Sequence, residues 1–352
     1  MGIIDLIHMF LNFCAPIFTF FSLLLILPPF YLFKSFMSIV NTVFSEDMSG
    51  KVVLITGASS GIGEHLAYEY ASRGACLVLC ARRVEKLHQV AQTAREMGAL
   101  DAVVIPTDVV KIDDCKRAVH QTITYFGRLD HLVNNAGITS ICLLEDVDDV
   151  TDFRTIMDIN FWGSVYMTSC AAPYLRLSRG RIIVLSSAAS WLPAPRMSFY
   201  NASKAAMAQF FETMRVEFGP DIGITLVTPG FVESEITQGK FLDKGGHLEV
   251  HQEMRDVQVS LAPVARTESC AKAIVRTACR GERYVTEPAW FRTTLWWHLF
   301  CPELMEWLYR IMYITNPGEP ASEALSKKIL DASGAKALLY PETMLSGDVK
   351  TE

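Results

Sequence analysis

The chain has 352 residues, 50% of them hydrophobic and 20% charged, with a formal net charge of -6. That length supports one large α/β domain with extensions, and the composition excludes a mostly disordered protein. The acidic balance, with no long Lys/Arg run, excludes an electrostatic nucleic-acid binder.

The first element is an uncharged run from Met9 to Phe33. It is longer than the roughly 20 helical residues that span a bilayer's hydrocarbon, and it predicts a membrane anchor over residues 1–44. No basic residue precedes the run and no small-residue cleavage site stands out, so a cleaved signal peptide fits poorly. Pro16 and Pro28-Pro29 interrupt it, and a proline removes a helical donor and crowds the preceding turn. Three short apolar pieces joined at prolines are expected. Two readings stay open: a hairpin that enters and leaves on one side, suited to a lipid-droplet monolayer, and a kinked transmembrane helix.

After Ser45 the pattern changes. Strands are predicted at Lys51–Thr56, Cys76–Cys80, Ala102–Pro106, Leu129–Val133, Arg181–Leu185, Ile222–Val227 and Arg283–Thr286. Between them lie helical stretches: one through Arg73, then Val84–Met97, Asp113–Phe126, a long one over Asp152–Leu177, Tyr200–Phe218 and Thr267–Arg280. Apolar strands alternating with longer helices predict a parallel sheet covered on both faces. The polar, Gly-interrupted stretch Gly239–Pro263 is placed to cover a pocket. Ala289–Ile314, with four tryptophans, is expected to be core or a subunit contact, ahead of a membrane-facing patch, and Pro341–Glu352 a loose tail. The nine cysteines are scattered, with no CxxC pair, and predict buried reduced thiols, no metal site and a domain facing the cytosol.

The chemistry-bearing motifs follow the strands. Gly57, Ser59, Ser60, Gly61, Ile62 and Gly63 lie between the first strand and first helix. There glycines let the backbone approach a pyrophosphate, and the helix N-terminus turns unpaired N–H groups toward it. Where an acid would hold a free ribose 2′-hydroxyl, the chain has Ala81, Arg82 and Arg83. Guanidiniums suit a 2′-phosphate, which favours NADP over NAD, with Arg82 the main partner. Asp108, after the third strand, suits an adenine amino group or a helix cap. Tyr200 and Lys204 share a helix face one turn apart.

That pair coincides with Ser187 thirteen positions earlier, with Asn160, and with the Asn134-Asn135-Ala136-Gly137 turn. Together with the Gly-rich loop these resemble the classical short-chain dehydrogenase/reductase family over about Gly50 to Pro288. TGASSGIG, NNAG, SFYNASKAA and VTPGF behind a proline-punctuated leader are similar to the steroleosins, oil-body proteins that resemble 11-beta-hydroxysteroid dehydrogenase.

The resemblance implies an α/β, doubly wound Rossmann sheet over 45–288, with an N-terminal hydrophobic anchor at 1–44 and a C-terminal helical extension at 289–352. It implies that Tyr200 transfers the proton, that Lys204 favours the phenolate and binds the nicotinamide ribose, and that Ser187 orients the substrate oxygen. Asn160 would hold a water linking Lys204 to solvent. Val109, Asn135, Ala136, Gly137, Pro229, Gly230, Val232 and Ser234 complete the expected NADP site. The expected substrate is a lipophilic hydroxysteroid or sterol-like compound. The expected setting is a lipid droplet and endoplasmic-reticulum membrane, with the catalytic domain in the cytosol as a homodimer or homotetramer. A structural or sterol-binding lipid-droplet protein with secondary catalysis is the rival reading.

Overall fold

The uncharged run lies within one helix, α1 (Ile3–Val43), in the computed structural model of the protein, which describes residues 2–316 and 318–345. The expected break into three pieces at the prolines is not found: Pro16, Pro28 and Pro29 lie inside the helix. Each proline forfeits one backbone donor and crowds one carbonyl, but the hydrogen bonds of the flanking turns run on past it. The helix is long and apolar enough to cross a membrane, with a mean hydropathy of 2.2 over its best window and none of that window buried.

A second unit begins at Asp47. Its strands are β1 (Val52–Thr56), β2 (Cys76–Ala81), β3 (Asp101–Pro106), β4 (His131–Asn134), β5 (Arg181–Leu185), β6 (Gly223–Pro229), β7 (Lys240–Leu242), β8 (Leu248–Val250) and β9 (Tyr284–Glu287). Seven of them form a parallel sheet in the order β3-β2-β1-β4-β5-β6-β9, while β7 and β8 make an antiparallel pair. The order reverses between β1 and β4, which opens a crevice at the carboxyl ends of these strands.

The helices of this unit are α2 (Gly61–Ala71), α3 (Val84–Glu96), α4 (Ile112–Phe126), α5 (Arg154–Met157), α6 (Gly163–Ser178), α7 (Ser198–Phe218), α8 (Gln252–Val259) and α9 (Thr267–Cys279). Side chains alternate across the sheet. In β1, Val53 and Ile55 join a cluster with Leu66 and Tyr70 of α2, Leu87 of α3 and Ile274 of α9. Val52 and Leu54 face the other way, onto Ala118 of α4, Met167 and Ala171 of α6 and Phe211 of α7. Burial on both faces explains the unbroken apolar run of β1, all five residues of which are buried.

The helix expected over Asp152–Leu177 contains an irregularity. A 3-10 turn (Val150–Phe153) leads into α5, and a π-helical turn (Asp158–Trp162) joins α5 to α6. Such a turn admits an extra residue and redirects a side chain, and here it holds the fully buried Asn160. The polar stretch expected to cover a pocket is the β7–β8 pair followed by α8.

Beyond β9 come α10 (Arg292–Phe300), α11 (Pro302–Tyr313), α12 (Leu325–Ser333), α13 (Lys336–Leu339) and α14 (Glu342–Leu345). The tryptophan-rich stretch is not core. Trp290, Trp296, Trp297 and Trp307 are 46%, 66%, 51% and 58% exposed, because α10 and α11 bury only one side of their hairpin. The expected loose tail is partly ordered. Met344 is buried in a cluster with Val259, Val264, Leu330 and Tyr340, and its carbonyl accepts from Arg255 Nη1 at 3.1 Å. Residues 346–352 of that tail lie outside the described residues.

Candidate active site

The crevice at the strand ends is a cavity of about 700 Å³. Every site residue predicted from sequence lines it except Gly63 and Asn160.

At one end, the Gly-rich turn is built for a close-lying ligand. Gly57 and Gly61 have φ of +64° and +57°, the left-handed region that a Cβ disfavours. A Cβ on Gly57 would also stand 2.8 Å from Cα of Ala136. Gly63 works from behind: a Cβ there would collide with the Gly57 carbonyl oxygen and the Asn135 amide. The two loops are tied together. Asn135 Nδ2 donates to the Thr56 and Gly57 oxygens at 3.0 and 3.1 Å, and the Asn135 and Ala136 amides donate to Thr56 Oγ1 at 3.0 and 3.2 Å. Helix α2 starts at Gly61, so its first N–H groups open onto the cavity.

The neighbouring residues complete this end. Arg82 is exposed on the cavity rim, whereas Arg83 is hydrogen-bonded to Ser59, Ser60 and Glu235. Asp108 lies 4.0 Å from Lys111 Nζ, and the buried Val109 backs onto Gly163 at the start of α6. Pro229, Gly230, Val232 and Ser234 form the facing wall. A cradle without Cβ atoms, a helix N-terminus and two guanidiniums fit a nicotinamide dinucleotide in donor chemistry and in shape.

The other end holds the titratable groups. Helix α7 presents Tyr200 and Lys204 on its buried side, with Lys204 Nζ 5.7 Å from the centre of the Tyr200 ring. That Nζ donates to the Leu185 carbonyl at 2.8 Å. Ser187 caps the 3-10 turn Ala188–Ser190 by accepting from the Ala189 amide at 3.1 Å, and its hydroxyl donates to the Pro229 carbonyl at 3.4 Å. Ser186 is spent on structure, since its hydroxyl donates to the Lys204 carbonyl at 3.0 Å. Asn160 sits behind the wall. Its Oδ1 accepts from the Ile138 amide at 2.8 Å, and its Nδ2 donates to the Ile138 carbonyl and Ser203 Oγ, both at 2.9 Å. Gly137 leaves room for this arrangement, for a Cβ there would meet Asn160 Oδ1 at 3.1 Å and Lys204 Nζ at 3.4 Å.

Burial sets the electrostatics. It pushes the Tyr200 phenol above its ordinary value, with the Ser187 hydroxyl pulling the other way. It lowers the Lys204 ammonium to about 8. The expected phenolate-favouring effect of Lys204 is thus opposed by desolvation of both groups.

The apolar wall was missed in the sequence. Leu192, Met197, Phe231, Val259, Phe291 and Tyr309 line the cavity from the loops after β5 and β6, from α8, from the 3-10 turn Ala289–Phe291 and from α11. No motif marks them. The aromatic spacing of Tyr309 and Tyr313, one helical turn apart on α11, was the one available signal.

The comparisons with known proteins agree with this geometry. The model of the short chain dehydrogenase family matches residues 51–245. A protein named 11-beta-hydroxysteroid dehydrogenase A from Sesamum indicum is 66% identical over 99% of this chain and 100% of its own length. One named 11-beta-hydroxysteroid dehydrogenase 1A from Arabidopsis thaliana is 57% identical over the same shares. The solved structure of an alcohol dehydrogenase from the archaeon Thermococcus sibiricus, complexed with 5-hydroxy-NADP, is similar with a TM-score of 0.57. At 24% identity, covering 68% of this chain and 96% of that one, it supports the fold alone. The chain belongs to the short-chain dehydrogenases, as an oxidoreductase closely related to the plant proteins named 11-beta-hydroxysteroid dehydrogenase.

Proposed function

We propose that the chain is an NADP-dependent enzyme that interconverts a hydroxyl and a ketone on a lipophilic substrate, a hydroxysteroid or sterol-like compound, at the lipid-droplet surface. The observation that carries this reading is one cavity of two characters. A Gly-rich, arginine-flanked cradle lies at one end, and Tyr200 and Ser187 stand against an apolar wall of Leu192, Met197, Phe231 and Phe291 at the other. Apolar walls with a few placed polar groups suit a hydrophobic alcohol or ketone.

The nicotinamide, when bound, supplies or accepts the hydride. The chain's own groups manage the oxygen. Tyr200 gives its phenol proton to the carbonyl oxygen in reduction and takes the hydroxyl proton in oxidation. Ser187, which lines the same cavity as that phenol, holds the same oxygen. Lys204 favours the phenolate when charged and binds the nicotinamide ribose. Asn160 acts as a positioning residue. Its side chain joins the loop after β4 to Ser203, whose hydroxyl donates to the Tyr200 carbonyl at 2.8 Å.

Residues 1–44 hold the enzyme on the endoplasmic-reticulum membrane and on droplets, with the catalytic unit in the cytosol as a homodimer or homotetramer. The apolar α1, long enough to cross a membrane, supports the membrane anchorage, and the nine free cysteines support the cytosolic orientation. Protease protection of the catalytic unit in intact microsomes would overturn the cytosolic orientation.

The functional test is a panel of hydroxysteroids and ketosteroids with NADPH, NADP, NADH and NAD, using the full chain in detergent. Arg82→Asp should lower the NADP-to-NAD ratio of kcat/KM by about tenfold or more, since it replaces a phosphate partner with a repelling carboxylate. An unchanged ratio removes Arg82 from the site. Absence of turnover across the panel favours the sterol-binding coat protein.

A further inference from the structure

Arg83 spends its guanidinium on three partners. Nε donates to Ser59 Oγ at 3.2 Å, Nη2 to Ser59 Oγ at 3.1 Å and to Ser60 Oγ at 2.7 Å, and Nη1 to Glu235 Oε1 at 2.5 Å. Ser59 and Ser60 belong to the Gly-rich turn after β1. Glu235 belongs to the segment after β6, on the facing wall. One guanidinium therefore ties the two walls of the cofactor end together.

Glu235 has a second cation in reach, as its Oε2 lies 3.4 Å from Lys240 Nζ. Burial would raise its carboxyl, but the hydrogen bond and charge of Arg83, with the charges of Lys240 and Lys86, hold it below the ordinary value. It is an anion already seated on a fork of donors that suits a phosphate. Arg82, beside it, has no carboxylate partner among the described residues.

We propose that Glu235 is a specificity-determining residue of the cofactor site. Its carboxylate holds the Arg83 position that a phosphate on the cofactor's ribose 2′-oxygen requires, so a 2′-phosphorylated nucleotide displaces it. The displaced carboxylate stays with Lys240, and residues 234–239 are released from the Gly-rich turn. A nucleotide without that phosphate leaves the tie in place. The 2′-phosphate thus both binds and reports its arrival to the wall that carries Val232 and Ser234. This inference rests on the NADP reading above.

The test uses fragments that have no nicotinamide and support no turnover. Calorimetry on the full chain in detergent compares 2′,5′-ADP with 5′-AMP, for the wild type and Glu235→Gln. Removing a competing charge-assisted bond between part-exposed groups should tighten 2′,5′-ADP by about tenfold and leave 5′-AMP unchanged. Hydrogen exchange of residues 234–239 in the wild type should quicken with 2′,5′-ADP and not with 5′-AMP. The unchanged 5′-AMP affinity controls for a damaged fold. If the wild type prefers 2′,5′-ADP but Glu235→Gln binds it equally or more weakly, the proposal falls and the NADP reading stands. If the wild type binds the two fragments alike, the NADP reading falls and takes the proposal with it.

Discussion

Replacing Asn160 with alanine should cost stability before it costs chemistry. The side chain is fully buried and makes three hydrogen bonds, at 2.8, 2.9 and 2.9 Å, to Ile138 N, Ile138 O and Ser203 Oγ. A hydrogen bond contributes about 1 kcal/mol net, and a buried backbone amide left unpaired costs about 1–3 kcal/mol. Two bonds lost at about 1 kcal/mol each and the Ile138 amide left unpaired at about 1–3 kcal/mol amount to about 3–5 kcal/mol. For a unit as large as Asp47–Glu352 each kcal/mol lowers the thermal midpoint by about 1.5 °C, so the fall should be about 5–8 °C. The assay is thermal unfolding of the full chain in detergent, followed by circular dichroism. A midpoint within about 2 °C of the wild type, with turnover lost, would refute the reasoning. It would show a side chain that handles water or protons and carries no structural weight.

Tyr200→Phe removes only the phenol oxygen and should lower kcat by about 10²–10⁴-fold while nucleotide affinity, read by calorimetry, stays unchanged. Near-normal turnover under chemistry-limited conditions would refute the assignment. Lys204→Met should unfold at a higher temperature than the wild type at pH 7, because the wild type keeps a buried amine whose proton is held less tightly than in the unfolded chain. The unfolded chain binds more protons between pH of about 8 and the ordinary 10.5, so the wild type gains stability with rising pH across that window and the variant's advantage shrinks. A difference that does not change between pH 7 and pH 10 would refute the burial argument.

The parallel sheet was readable because its strands are buried on both faces, which writes them as unbroken apolar runs such as Val52–Ile55. The cofactor turn and Ser187 could be read because they directly follow β1 and β5, and Tyr200 with Lys204 because the two stand one turn apart on a single helix. Long-range contacts left no such trace. Glu235 and Arg83 lie 152 positions apart, and nothing local to either announces the other. The π-helical turn at Asn160 was invisible because its residues continue a helical pattern while the backbone widens by one. The prolines of the leader misled for the opposite reason. They are strong local signals against a helix, and the long apolar segment around them runs through as one.

The α10–α11 hairpin bears on how the protein behaves in the hand. Its inner side gives Tyr309 and Tyr313 to the cavity, while Trp296, Leu299, Phe300 and Trp307 stand outward. Removing α1 therefore leaves a sticky enzyme. A shortened chain would still carry indoles that seek detergent, and it would self-associate once the detergent is withdrawn. Trimming the hairpin to cure this would open the substrate compartment, because the residues that cause the stickiness share two short helices with residues that close the cavity wall.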